Sequence, residues 1–110
     1  MANQKHIEWL LEGVDAWNAR RERENFHPDF EGADISGEFG KRGKLGDDGR
    51  VCLRGINFSD ADLRKADLRK ADLSFANLTR ANLTETMLIG ADLVWANLSY
   101  SQVWKAKLYG

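Results

Sequence analysis

Cysteine and proline are nearly missing from this chain: its 110 residues include one of each, Cys52 and Pro28. A lone cysteine excludes an internal disulfide framework and the usual multi-cysteine metal site, so packing must hold the core together. Net charge is missing as well. Sixteen Lys and Arg against seventeen Asp and Glu leave −1 at neutral pH, and no global field of either sign draws the chain to nucleic acid or to an anionic membrane. No apolar run approaches the roughly 18 residues of a membrane span. The opening MANQKHIEWL has neither the basic stretch nor the apolar core and small-residue cleavage site of a secretion signal. One small cytoplasmic domain, off the membrane, is the expectation. Histidine is equally sparse. His6 and His27 are the only two, and no pair among them and Cys52 has metal-ligand spacing, so neither a metal nor a cofactor is expected.

What the chain does have is a period of five. From Val51 onward it divides without remainder into VCLRG, INFSD, ADLRK, ADLRK, ADLSF, ANLTR, ANLTE, TMLIG, ADLVW, ANLSY, SQVWK and AKLYG. The third residue is Leu except at Phe58 and Val103, and the first is Ala except at Val51, Ile56, Thr86 and Ser101. Five residues match neither the 3.6-residue turn of a helix nor the two-residue pleat of a strand. Such a chain must bend once per repeat. If the first and third residues point inward, the remaining ones turn the corner, and repetition closes a coil with Ala and Leu columns inside. Asp or Asn in second place suits a corner, because its short side chain accepts from nearby backbone amides; Met87 and Lys107 break that rule.

ADLRK, ADLSF, ANLTR and ADLVW resemble the pentapeptide-repeat family, whose pattern is Ala, then Asp or Asn, then Leu, then two variable residues. The resemblance spans residues 51–110 and implies an all-β solenoid, a right-handed quadrilateral β-helix with four repeats in each coil. Twelve repeats then make three coils, about 15 Å of regular stack at the usual ~4.8 Å spacing of paired strands. A leucine-rich repeat, with its period of roughly 20–29 residues and mixed leucine spacings, does not fit uniform fives.

Residues 1–27 are expected to form an N-terminal amphipathic capping helix. Ile7, Leu10, Leu11, Val14 and Trp17 share one stripe, Asn3 is its N-cap, and the helix runs to about Glu24 before His27 and Pro28 end it. Its apolar face would cover the open first coil. Residues 28–37, PDFEG and ADISG, read as the first repeats, centred on Phe30 and Ile35. Residues 38–50 lose the register and read as a projecting loop rich in Gly and charge. That loop is no phosphate cradle, since Leu45 stands where GxxxxGK needs a following hydroxyl, and Asp47 and Asp48 lack the further oxygens of a calcium loop.

No nucleophile, base and orienting group can be assembled, and an Ala/Leu interior leaves no cleft, so no catalytic residue and no enzyme activity are expected. The exterior carries two clusters. Arg64, Lys65, Arg69 and Lys70, with Arg54 and Arg80 nearby, are read as a solvated face balanced by Asp62 and Asp67. Phe75, Ile89, Val94, Trp95, Tyr100, Trp104 and Tyr109 are read as an outward apolar patch on or beside the last coil, either an interface or a surface that later residues of a longer chain would cover. The function expected is a non-enzymatic scaffold that binds a protein partner, or itself as a homodimer, through this coil. The alternative, which the resemblance raises, is a DNA mimic acting on a type II topoisomerase such as gyrase. A mimic needs a long acidic rod, whereas residues 51–110 hold eight Lys and Arg against six Asp and Glu, so neither that role nor nucleic-acid binding is favoured.

Overall fold

The computed structural model describes residues 1–108. From Val51 on, the backbone makes one sharp turn in every repeat. The amide of each first residue donates to the carbonyl of the preceding third residue, as from Ile56 to Leu53 (3.1 Å), Ala61 to Phe58 (3.0 Å) and Ala66 to Leu63 (3.0 Å). The fifth residue takes a positive φ, for example 61° at Lys65 and 63° at Lys70, while glycine fills the place at Gly55 and Gly90. One positive φ at the third turn position, with a closing bond of this kind, is the signature of a type II turn. A side chain there costs on the order of 1 kcal/mol relative to glycine, and the coil offsets it by burying its neighbours.

Four such turns bring the chain back above itself. Parallel bridges stack Cys52 on Asp72 on Asp92, Asn57 on Asn77 on Asn97, Asp62 on Asn82 on Gln102, and Asp67 on Met87 on Lys107. Each bridge is one residue wide, so the coils are held by a ladder of isolated bridges and no continuous strand forms among the described residues. First and third residues line the interior. Ala61, Leu63, Ala66, Leu68, Ala71, Leu73, Ala76, Leu78, Ala81 and Leu83 are all buried, and each central Leu contributes about 1.5–3 kcal/mol. Thr86 stands in an Ala column fully buried, its hydroxyl donating to Leu63 O at 2.6 Å. The corners are fastened as short Asx side chains allow: Oδ1 of Asn77, Asn82 and Asp92 accepts from the amides of Thr79 (3.0 Å), Thr84 (3.1 Å) and Val94 (3.0 Å).

The chain is not all-β. The single helix expected over residues 1–27 is two: α1 (Gln4–Leu10), capped by Asn3 Oδ1 on the amides of Lys5 and His6, and α2 (Val14–Arg23). Gly13, at φ 110°, separates them, a conformation that glycine alone adopts readily. A further helix, α3 (Ile35–Lys41), starts where Asp34 accepts from Gly37 N at 2.8 Å and buries Ile35 and Phe39. The segment read as the loop 38–50 therefore begins as helix. Its far end is tied down too, with Arg50 Nη1 donating to the carbonyls of Lys70 (3.0 Å) and Gly90 (2.7 Å). Between α2 and α3 the chain passes through a partial coil in which Asp29 bridges Asp62 and Asp34 bridges Asp67. Trp17, Phe30 and Phe58, all fully buried with ring centroids 5.5–5.9 Å apart, join the helices to the solenoid interior. Among the described residues no helix is long and apolar enough to cross a membrane.

Candidate functional site

The fourth and fifth residues of each repeat form the turn and face outward, so the last coil displays whatever the sequence puts there. It puts aromatics. Trp95 is 79% exposed, Tyr100 87% and Trp104 70%, with Val94 and Ile89 exposed beside them. The bridge columns show which of these share a side. Phe75 and Trp95 occupy equivalent places one coil apart, next to Val94, on the side of Cys52, Asp72 and Asp92. Tyr100 belongs to the next side, Trp104 to the one after, and Ile89 to the fourth. The residues read as one patch thus form a rim around the end of the solenoid, and only Phe75, Val94 and Trp95 lie together. Tyr109 lies outside the described residues.

Inside that rim are residues that the sequence reading passed over. Leu98 is 37% exposed, Val103 50% and Leu108 57%, although the equivalent Leu78 and Leu83 one coil earlier are fully buried. They hold the core position of a coil on which nothing is stacked. The signal was present in the same third-place periodicity, since a column of buried leucines must end in one that lacks a cover. Rim and centre together give the end an apolar surface with aromatic edges.

Three arginines of the basic cluster are paired in place. Arg64 binds Asp62 at 2.7 Å and Glu31 at 3.4 Å, Arg69 binds Asp67 at 2.7 Å, and Arg80 binds Asp60 at 2.9 Å. The Arg64 guanidinium holds the Asp62 carboxyl below the usual carboxylate range, against the opposing effect of its partial burial. Arg54 donates to Ser74 Oγ at 3.1 Å and lies 4.5 Å over the Phe75 ring, so this cation covers one face of Phe75.

Two clefts remain. One, of about 530 Å³, opens between the α1–α2 break and the first coil and is lined by Leu11, Glu12, Phe39, Lys44, Cys52 and Arg54, among others. The other, of about 440 Å³, is lined by Lys65, Glu85, Met87, Lys105 and Lys107. Met87 and Lys107 are stacked corner positions without an Asx side chain, so this cleft follows the bridge column that departs from the pattern in two successive coils. Among the described residues no group of three or more His, Cys, Asp or Glu is placed to hold a metal. His6 is turned inward, where Nδ1 accepts from the Asp29 amide at 2.9 Å, and is occupied with the fold.

Residues 50–74 and 76–110 match the family model for pentapeptide repeats, in eight copies. No curated protein matches the chain. Among solved structures, it is similar to a pentapeptide repeat protein, Rfr23, from the cyanobacterium Cyanothece 51142, at 23% identity and a TM-score of 0.34. That match covers 52% of this chain and 59% of the other.

Proposed function

The chain belongs to the pentapeptide-repeat family, and from that premise we propose that it is a non-enzymatic cytoplasmic scaffold that binds another protein, or a second copy of itself, through its C-terminal coil. Proteins of this family are generally protein-interaction or structural scaffolds. The single observation that carries the reading is the contrast within one column: Leu78 is fully buried while Leu98, one coil later, is 37% exposed and ringed by Trp95, Tyr100 and Trp104. Large aromatics around an apolar centre are the usual anchors of protein interfaces. A right-handed quadrilateral β-helix is the architecture that best accounts for bridges twenty residues apart with four turns between them. A division into a helical cap (1–27), first repeats (28–37), an insertion (38–50) and twelve repeats (51–110) accompanies it. The free thiol of Cys52 suits a reducing compartment.

The topoisomerase-mimic alternative has less to rest on, since Arg64, Arg69 and Arg80 hold Asp62, Asp67 and Asp60 in pairs and Lys and Arg outnumber Asp and Glu over residues 51–110, where a mimic needs an acidic surface to stand in for phosphates. The proposal is tested with Trp95→Ala combined with Trp104→Ala. Loss of self-assembly or of partner recovery, with an unchanged melting temperature, is the expected result. Unchanged assembly and unchanged recovery overturn it.

A further inference from the structure

The first full coil has four sides, those of Cys52, Asn57, Asp62 and Asp67, and residues upstream of it cover three. On the side of Asp62, PDFEG lies beneath ADLRK as one repeat beneath another: Asp62 N donates to Pro28 O, Phe30 N to Asp62 O and Gly32 N to Arg64 O, all at 2.8 Å. Phe30 is fully buried there, and Glu31 lies 3.4 Å from the Arg64 guanidinium. On the side of Asp67, its amide donates to Ala33 O at 2.8 Å and its carbonyl accepts from Ser36 N at 3.1 Å. On the side of Asn57, side chains of α2 stand in for a strand, with Asn57 N donating to Asn18 Oδ1 and Trp17 Nε1 to Asn57 O, both at 2.8 Å. The side of Cys52 has no such cover. Leu53 N and Val51 O are engaged by Asp72 of the following coil, which turns Cys52 N–H, Cys52 C=O and Arg54 C=O toward the opposite edge, and these groups have no partner among the described residues.

The cleft of about 530 Å³ lies against this edge, with Cys52 and Arg54 on one wall and Leu11, Val14 and Phe39 among its apolar residues. We propose that it binds an extended segment of another protein, which supplies the missing repeat beneath VCLRG by strand addition. The pattern that fits is displayed across the coil, where PDFEG fills the equivalent place. A parallel segment counted as one repeat accepts from Cys52 N–H at its first carbonyl and donates to Cys52 C=O and Arg54 C=O from its third and fifth amides, the same three bonds that PDFEG makes to ADLRK. Its third side chain faces the apolar residues of the cleft and is itself apolar. Its fifth residue turns the corner at positive φ, as Gly32 does at 72°, and is best a glycine. Its fourth residue meets Arg54 as Glu31 meets Arg64, and is acidic. Arg54 lacks the carboxylate that its counterparts have. Arg64 and Arg69 each bind the Asp in second place of their own repeat at 2.7 Å, whereas the second residue beside Arg54 is Cys52, and its guanidinium donates to Ser74 Oγ instead. Glu12 and Asp15 line the helix side of the cleft, and Arg20 lies 3.9 Å from Glu12. The ligand is thus an extended peptide in which an apolar residue is followed by an acid and a glycine. The cleft is remote from Met1, whose ammonium meets Glu31 at 3.0 Å on the opposite side of the coil.

Heteronuclear NMR titration of the full chain with an acetylated and amidated peptide, HPDFEGA, which copies residues 27–33, tests this. Saturable shifts centred on the Cys52 and Gly55 amides, slower exchange of the Cys52 amide and slower labelling of its exposed thiol are the expected results. A peptide with Ser in place of the Phe should give no saturable shift. One with Lys in place of the Glu should bind about fivefold more weakly, the upper range for an exposed ion pair. Arg54→Glu, at an exposed position, should keep its melting temperature and reverse that preference. The Trp95→Ala and Trp104→Ala pair should titrate like the wild type, so this site stands or falls separately from the C-terminal coil. An absence of saturable shifts, or shifts centred on the side of Asp62, overturns the proposal. An Arg54→Glu variant that binds the Glu and Lys peptides equally overturns the acidic fourth position.

Discussion

Leu78 and Leu98 are the same residue type in the same column, and they differ only in whether a coil lies above them. Leu78→Ala removes a fully buried side chain and should cost about 2–5 kcal/mol, the range for cavity-forming core truncations. Leu98→Ala, at 37% exposure, should cost well under half of that in the monomer. Chemical denaturation of the two variants side by side checks the contrast, and equal losses would mean that the last coil is as enclosed as the middle one. At this scale the sequence was highly legible. The Ala and Leu columns and the Asx corners could be read because each repeat says the same thing, and repetition separates a pattern from chance. The rim was legible only as a set of outward positions. Which aromatics share a side depends on the twenty-residue register, which places Trp95 over Phe75 and sends Tyr100 and Trp104 to other sides.

The helices were less legible, because no repetition supports them. The stripe of Ile7, Leu10, Leu11, Val14 and Trp17 continues across Gly13 and so reads as one helix, but a glycine at φ 110° lets the chain break and re-aim without losing the stripe. In α3 the sequence ISGEFGK is a poor helix former by propensity, and burial of Ile35 and Phe39 with the Asp34 cap overrides it. The docking of α1 also makes the cap sensitive to acid. His6 is buried, and desolvation pushes its pKa below the ordinary 6.5, with the Asp29 charge opposing and Arg21 assisting. Its Nδ1 must stay unprotonated to accept from the Asp29 amide. The folded pKa is the lower one, so folding favours the neutral ring and stability should fall as pH drops through about 6.5 toward the folded value. Melting curves at about pH 7.5 and about pH 5.5 should show this loss in the wild type and a smaller one in His6→Ala, which is weaker at both. An equal pH response in the two proteins would remove His6 as the cause.

For the molecule as a whole, the account turns on a difference between its two ends. The N-terminal end is closed on three of its four sides by Asn18, Trp17 and the partial coil, which take up the backbone groups at Asn57, Asp62 and Asp67. The C-terminal end keeps its leucines half exposed and its amides unpaired among the described residues. Periodicity alone predicts two similar ends, and the difference comes from fifty residues that carry little periodic signal. Residue-resolved amide exchange in dilute solution, below any association, measures the difference directly. Slow exchange at Asn57, Asp62 and Asp67 with fast exchange at Leu93, Leu98 and Val103 is the predicted result. Equal protection at both ends, or fast exchange at the first three, would contradict it.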